Sequence, residues 1–253
     1  MMAYMAEHIV DIADMPRGGP DASWLDRLLE TGCPEYLDRD DVDDAVKSSI
    51  VSALDRIGTV FGEHDRNAEL VLREVAEVPD PRILELGAGH GALSRIVLEQ
   101  HPTAQVTVSD VNPESVAAIA ASDLGRHPRA RVRTIDATAI DAADGSFDLA
   151  VFALSFHHLP PALAERVLAE GTRVASELLV IDLPRLPSVL HIAKLAALAP
   201  LALCWPFAHD GLISSLRSYS PSALRALGAH ADLDVEISTN PFDRQVLVAR
   251  RRG

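Results

Sequence analysis

Ile83-Leu84-Glu85-Leu86-Gly87-Ala88-Gly89-His90-Gly91 is the stretch that decides how this chain folds. Arg82 to Leu86 reads as a short apolar strand, glycines follow at alternate positions, and a helix opens at Ala92 and runs to about Glu99. Glycine tolerates positive φ and has no Cβ, so such a bend lets a ligand approach the backbone. In open α/β sheets, ligands bind where strands end in bends of this kind.

Downstream, short apolar runs alternate with helical stretches. Gln105–Ser109, Arg131–Ile135, Phe147–Leu154 and Glu177–Asp182 are the next candidate strands. Asn112 and Pro113 supply an N-cap and a first helical residue for a helix to Ala121, and a second helix spans Pro161 to Val174. The alternation predicts parallel β-α-β units with right-handed crossovers. After a helix at Ser220–Ala229, the runs Asp234–Ser238 and Gln245–Ala249 flank Asn240-Pro241 and predict a closing hairpin at the sheet edge. The expected class is α/β, an open and mostly parallel sheet of seven strands with an antiparallel C-terminal strand.

Upstream, helices are expected at Asp41–Phe61, capped by Asp40 or Asp41, and at Arg66–Ala76. Pro79-Asp80-Pro81 marks the boundary, and Pro16-Arg17-Gly18-Gly19-Pro20 reads as a loop or frayed end. The expected organisation is an N-terminal helical cap over residues 1–80 and an α/β domain over 81–253, with a lid insertion at 184–220.

The chain has 253 residues, 37 acidic against 23 basic, and a net charge of −14. A duplex-binding protein normally carries a basic stripe, so no nucleic-acid partner is expected. Cys33 and Cys204 form no C-x-x-C pair, which suits two free thiols in a reducing, cytoplasmic compartment. The first twenty residues carry Glu7, Asp11 and Asp14 without a basic start, unlike a signal peptide. Val189 to Phe207 is strongly apolar but interrupted by His191, Lys194, Pro200 and Pro206, so no stable membrane span is expected. This segment reads as a lid over an apolar or aromatic small-molecule acceptor, and could equally serve as a homodimer surface.

Gly87, Gly89 and Ala92 also satisfy the dinucleotide pattern G-x-G-x-x-A, which leaves an NAD(P)-dependent reductase open. A non-catalytic cofactor-binding protein is a third reading. Carboxylates tilt the balance: Glu85 before the bend, Asp110 at the second strand end and Asp136 at the third suit a cationic nucleoside better than an anionic dinucleotide.

As a set, Glu85-x-Gly87-x-Gly89-x-Gly91, Asp110, Asp136-Ala137 and Phe147-Asp148-Leu149-Ala150 resemble the class I S-adenosylmethionine-dependent methyltransferases. Phe156-His157-His158-Leu159 is similar to the subgroup that includes the ubiquinone and menaquinone-biosynthesis enzymes. The resemblance covers residues 82 to 183 and implies a Rossmann-like fold with S-adenosylmethionine as cofactor. It implies that Gly87, Ala88, Gly89 and Gly91 lie against the methionine and ribose. Glu85 would reach the glycine bend or the ammonium group, Asp110 the ribose hydroxyls, and Val111 the adenine face. Asp136 and Ala137 would bond the adenine edge, and Ala153, Leu154 and Ser155 would lie near the reactive methyl.

The expected reaction is methyl transfer to a small, partly apolar metabolite, at oxygen. Histidine is the usual neutral-pH base, which makes His157, His158 and His209 the catalytic candidates. Ser155, Trp205, His209, Arg217 and Tyr219 are candidates for acceptor binding, with His209-Asp210-Gly211 read as a polar turn behind the lid. His64 and Arg66 could reach the cofactor carboxylate. His8, His101, His127, His191 and His230 show no paired ligand spacing, and no metal site is expected.

Overall fold

The computed structural model describes residues 11–39, 41–202, 205–240 and 243–253. Glu7, His8, Asp40, Leu203, Cys204 and Pro241, on which sequence expectations were placed, lie outside the described residues.

Seven strands form one sheet: β1 (Arg82–Leu86), β2 (Gln105–Asp110), β3 (Ala130–Thr134), β4 (Phe147–Ala153), β5 (Ala175–Asp182), β6 (Leu233–Thr239) and β7 (Gln245–Arg251). Their order is β3-β2-β1-β4-β5-β7-β6, with β7 antiparallel to β5 and to β6. Every expected strand is present, with ends moved by one or two residues. β3 starts and stops one residue earlier than expected, and Ile135 just past its end still donates its N–H to Asp110 O of β2.

Strand parity builds two cores. Leu84 and Leu86, Ala150 and Phe152, and Leu178 and Val180 pack on one face with the inner side of α6 (Pro161–Val174) and α9 (Pro221–His230). Ile83, Leu149 and Val151, and Leu179 and Ile181 pack on the other, against α3 (Glu63–Glu74) and α4 (Ala92–Gln100). Both faces of β1, β4 and β5 are covered, which is why their sequences are nearly continuous apolar runs. α5 (Pro113–Ala121) follows β2, and the Asn112 side chain accepts from Glu114 N–H as the expected cap.

Upstream lie α1 (Trp24–Leu28) and α2 (Asp44–Val60), the latter capped by Asp43 rather than by Asp41. The segment expected to fray is pinned instead. The Arg17 guanidinium donates to His157 O at 2.7 Å, to Leu159 O at 3.0 Å and to Arg217 O, and lies 4.8 Å over the Tyr219 ring. A planar fork with several donors can collect three carbonyls at once.

The segment read as a lid forms two helices, α7 (Ser188–Ala202) and α8 (Pro206–Arg217), with Pro206 in the first position of the second. Val189, Leu190 and Ile192 of α7, Trp205 before α8, and Val51, Leu54 and Val60 of α2 stay exposed. Among the described residues, no helix is long and apolar enough to cross a membrane.

Candidate functional site

The C-terminal edge of the sheet gathers the bend after β1 and the ends of β2, β3 and β4. Ala88 N–H donates to Ser109 O at 2.8 Å, which ties the bend to β2. The Asp110 carboxylate is 9% exposed and accepts from Gly89 N–H through Oδ2 and from Asn112 N–H through Oδ1, both at 2.9 Å. Each oxygen keeps a lone pair for a further donor. Gly89 has φ +57, is exposed, and a Cβ there would meet nothing within 4 Å. The space above this backbone is open to a ligand. Val111 is 64% exposed beside Asp110, an apolar platform at the rim. Asp136 is exposed at the neighbouring strand end, where Oδ1 accepts from the Thr138 N–H and hydroxyl, and Ala137 is half-buried behind it. A ribose diol, a flat heterocycle and a cationic group therefore find acceptors, a surface and negative charge along one rim.

Gly87 and Gly91 are glycine for a different reason. A Cβ at Gly87 would lie 2.8 Å from Ser155 Oγ, and one at Gly91 2.6 Å from Leu124 Cδ2. Their demand comes from packing of the protein on itself. Ala153, Leu154 and Ser155 end β4 beside the bend. Leu154 has φ +58, an uncommon conformation for a leucine, held by its N–H bond to Ile181 O at 2.7 Å. Ser155 Oγ donates to Ala153 O at 3.3 Å.

Glu85 departs from expectation. Parity puts it on the same face as Ile83, so its carboxylate lies under α4 and accepts from the Ser94 hydroxyl. It satisfies the first turn of the helix. Burial pushes its carboxyl up to about 7, against the pull of Ser94. His64 lies 6.3 Å, ring to ring, from His90 of the bend, while Arg66 donates to Phe61 O and pairs with Asp243.

A second constellation lies just past β4. Phe156–His158 forms a 3-10 turn, and the His157 N–H donates to Asp182 Oδ2 at 2.8 Å. His157 Nδ1 is 2.7 Å from Asp182 Oδ1, and its Nε2 is 3.7 Å from Glu35 Oε1. His158 Nδ1 is 3.2 Å from Asp38 Oδ2, and its Nε2 is 3.9 Å from Glu35 Oε2. Burial alone would push the His157 imidazole down, but Asp182 and then Glu35 raise it to about 9. Burial alone would push the Asp38 carboxyl up, but His158 and Arg217 bring it down to about 2. Glu35 is likewise held below the usual carboxylate range, in spite of its burial, by His157, His158 and Ser214.

The residues expected to form a polar turn for the acceptor are one face of α8. Asp210 accepts from the N–H groups of Tyr36 and Leu37 at 2.7 and 3.3 Å, and Ser214 donates to Glu35 Oε1 at 2.7 Å. Arg217 pairs with Asp38 at 3.0 Å and donates to His158 O. Spacings of four and three put all three on one stripe, and that stripe holds Glu35 and Asp38 in place. His209 packs against Tyr36 and bonds Asp210, so it is part of this brace. Tyr219 is 2% exposed and donates to Leu159 O at 2.7 Å; its burial, which raises its phenol above the ordinary range, closes it to an acceptor. Trp205 stays half-exposed, stacked on Phe207.

Residues 83–177 match a family model described as a methyltransferase domain. Malonyl-[acyl-carrier protein] O-methyltransferase of Geobacter sulfurreducens is 36% identical over 103 residues, 40% of this chain and 38% of that protein. Demethylmenaquinone methyltransferase of Thermus thermophilus is 34% identical over 111 residues, 42% of this chain and 49% of that protein. Ribosomal RNA small subunit methyltransferase C of Pseudomonas entomophila is 32% identical over 100 residues, 38% of this chain and 28% of that protein. The chain spans less than half the length of each of these relatives. Among solved structures, the plantazolicin methyltransferase BpumL, in complex with a pentazolic desmethylPZN analog and SAH, shares the fold. Its TM-score is 0.61 at 16% identity, over 83% of this chain and 92% of that one. These matches are to methyltransferases rather than to nicotinamide-dependent reductases, and the dinucleotide reading is not favoured. Residues 83–177 thus match a methyltransferase domain, set in a seven-stranded Rossmann-like sheet.

Proposed function

We propose that this chain transfers a methyl group from S-adenosylmethionine to a small, partly apolar acceptor, at an oxygen atom. The observation that carries the reading is the Asp110 carboxylate bonded to Gly89 N–H beneath open space. That is a diol-binding acid beside a backbone a ligand can touch. In this reading Asp110 takes the ribose hydroxyls, Val111 the adenine face, Asp136 and Ala137 the adenine edge, and Gly87 to Gly89 the methionine part. Glu85 supports the bend from below through α4.

When bound, S-adenosylmethionine supplies a methyl carbon already activated on a sulfonium. The chain's task is then to place the acceptor oxygen in line, and positioning of this kind lowers barriers by up to about 7–11 kcal/mol. As the new C–O bond forms and the C–S bond breaks, the acceptor's proton must leave, and a base there adds roughly 10²–10⁴-fold. His157 and His158 lie on the turn that follows Leu154 and Ser155, and His158, which is part exposed, is placed to take that proton. Support for an apolar acceptor comes from the exposed apolar residues of α7 and Trp205. The relatives act, by name, on a malonyl carrier protein, a demethylmenaquinone and a ribosomal RNA, so they support the reaction class and leave the acceptor open.

The test is transfer of labelled methyl from S-adenosylmethionine across phenols, quinols and hydroxy acids. Label in an O-methyl product supports the reading; label only on nitrogen or carbon acceptors removes the oxygen assignment.

A further inference from the structure

We propose that Glu35, His157 and His158 form a binding site for a divalent transition-metal ion, Zn²⁺ in the first instance. The three side chains come from places 122 residues apart, which is why histidine spacing alone gave no sign of them. Their ligand atoms all lie within 4.8 Å of one another, and among the described residues no other group of this kind does so.

Geometry carries the proposal. The two rings lie 4.4 Å apart and both turn Nε2 toward the same carboxylate, at 3.7 Å and 3.9 Å. Those gaps are too long for hydrogen bonds. Around zinc, with bonds of about 2.0–2.1 Å, tetrahedral ligand atoms stand roughly 3.3 Å apart. The two gaps to Glu35 would close by about half an ångström, and the widest separation in the group, within 4.8 Å, by up to about 1.5 Å. His157 Nε2 is fully buried and makes no hydrogen bond, although Glu35 and His157 are only 3% exposed. At ion-pair distance from Glu35 but without a hydrogen bond, this buried nitrogen is poorly satisfied.

The far sides of both rings are already arranged. His157 Nδ1 is bonded to Asp182 and His158 Nδ1 to Asp38, and metal-binding imidazoles are oriented by carboxylates in the same way. With Nδ1–H given to a carboxylate, each ring turns Nε2 toward the Glu35 oxygens, and a metal ion bound there would displace the Nε2 proton. Two histidines and a glutamate leave the fourth zinc position open, as in catalytic sites. The acceptor oxygen would take that position and become more acidic. This last step rests on the methyl-transfer reading, whereas metal binding does not.

The experiment uses the untagged full chain, stripped with chelator and titrated with Zn²⁺ by calorimetry at pH 7.5. The expected result is one ion per chain, bound at about micromolar or tighter, with binding weakened at least about 100-fold in Glu35→Gln and in His158→Ala. His158 is part exposed, so its variant keeps the test open should Glu35→Gln fail to fold. No zinc uptake by the wild-type chain, or uptake unchanged in both variants, overturns the site. S-adenosylhomocysteine is titrated into the metal-free protein in parallel. Failure there strikes the methyl-transfer reading alone, and failure of zinc uptake strikes the metal site alone.

Discussion

His157 and Asp182 hold each other twice: Nδ1 lies 2.7 Å from Oδ1, and the His157 backbone N–H donates to Oδ2 at 2.8 Å. The last residue of β5 thereby sets the turn that follows β4, two neighbouring strands of the sheet. Both partners are buried, and removing one partner of a buried pair typically costs about 3–5 kcal/mol, since the other is left uncompensated. Asp182→Ala should therefore lower unfolding free energy by that order in urea titrations. A loss under about 1 kcal/mol, the scale of one ordinary hydrogen bond, would show that the turn does not depend on β5.

Glu85 gives a pH dependence with a definite sign. Its carboxyl titrates at 4.5 in the unfolded reference and is raised by burial to about 7 in the folded chain. The folded state binds that proton more tightly, so its contribution to stability is complete below about 4.5 and is lost as pH rises through 7. Glu85→Gln keeps an acceptor for Ser94 and removes the titration. The variant should gain on the wild type as pH rises from 5 to 8, by an upper bound of about 3 kcal/mol. Parallel melting curves that keep a constant offset over this range would contradict the buried placement.

Two glycines of one bend should respond differently. Gly91→Ala meets Leu124 at 2.6 Å and a φ of +77, so overpacking and strain together should cost about 2–4 kcal/mol of stability. Gly89→Ala has free space and should cost only the left-handed penalty of about 1–2 kcal/mol, while weakening S-adenosylhomocysteine binding markedly. Equal melting temperatures for the two variants would show that only one demand, folding or ligand approach, acts on both.

Tyr219 separates structure from acceptor binding. Its hydroxyl serves Leu159 O, so Tyr219→Phe should cost about 1 kcal/mol of stability and leave acceptor KM unchanged. A raised KM with intact stability would return Tyr219 to the acceptor.

The sheet was legible because covered strands must be apolar runs, and Arg82–Leu86, Gln105–Asp110 and Phe147–Ala153 announce themselves in that way. The bend and Asp110 were legible because they follow strand ends. The burial of Glu85 under α4 was not legible, because its proximity to the glycines in sequence hides the parity that turns it that way. His209-Asp210-Gly211 read as a turn because Gly211 looked like punctuation, yet it sits inside α8, where the Asp210–Ser214–Arg217 stripe supplies the packing. Arg17, Glu35 and Asp38 carried no local signal at all. Their partners lie 140, 122 and 120 residues away, and only the folded chain brings them together.

Calorimetric titration of the chain with S-adenosylhomocysteine, alongside Asp110→Ala, bears most directly on the cofactor berth. The expected result is one molecule bound per chain, with affinity reduced about 10- to 100-fold in the variant, the scale of hydrogen bonds to a charged group. No heat at millimolar ligand, or undiminished binding by Asp110→Ala, would contradict it.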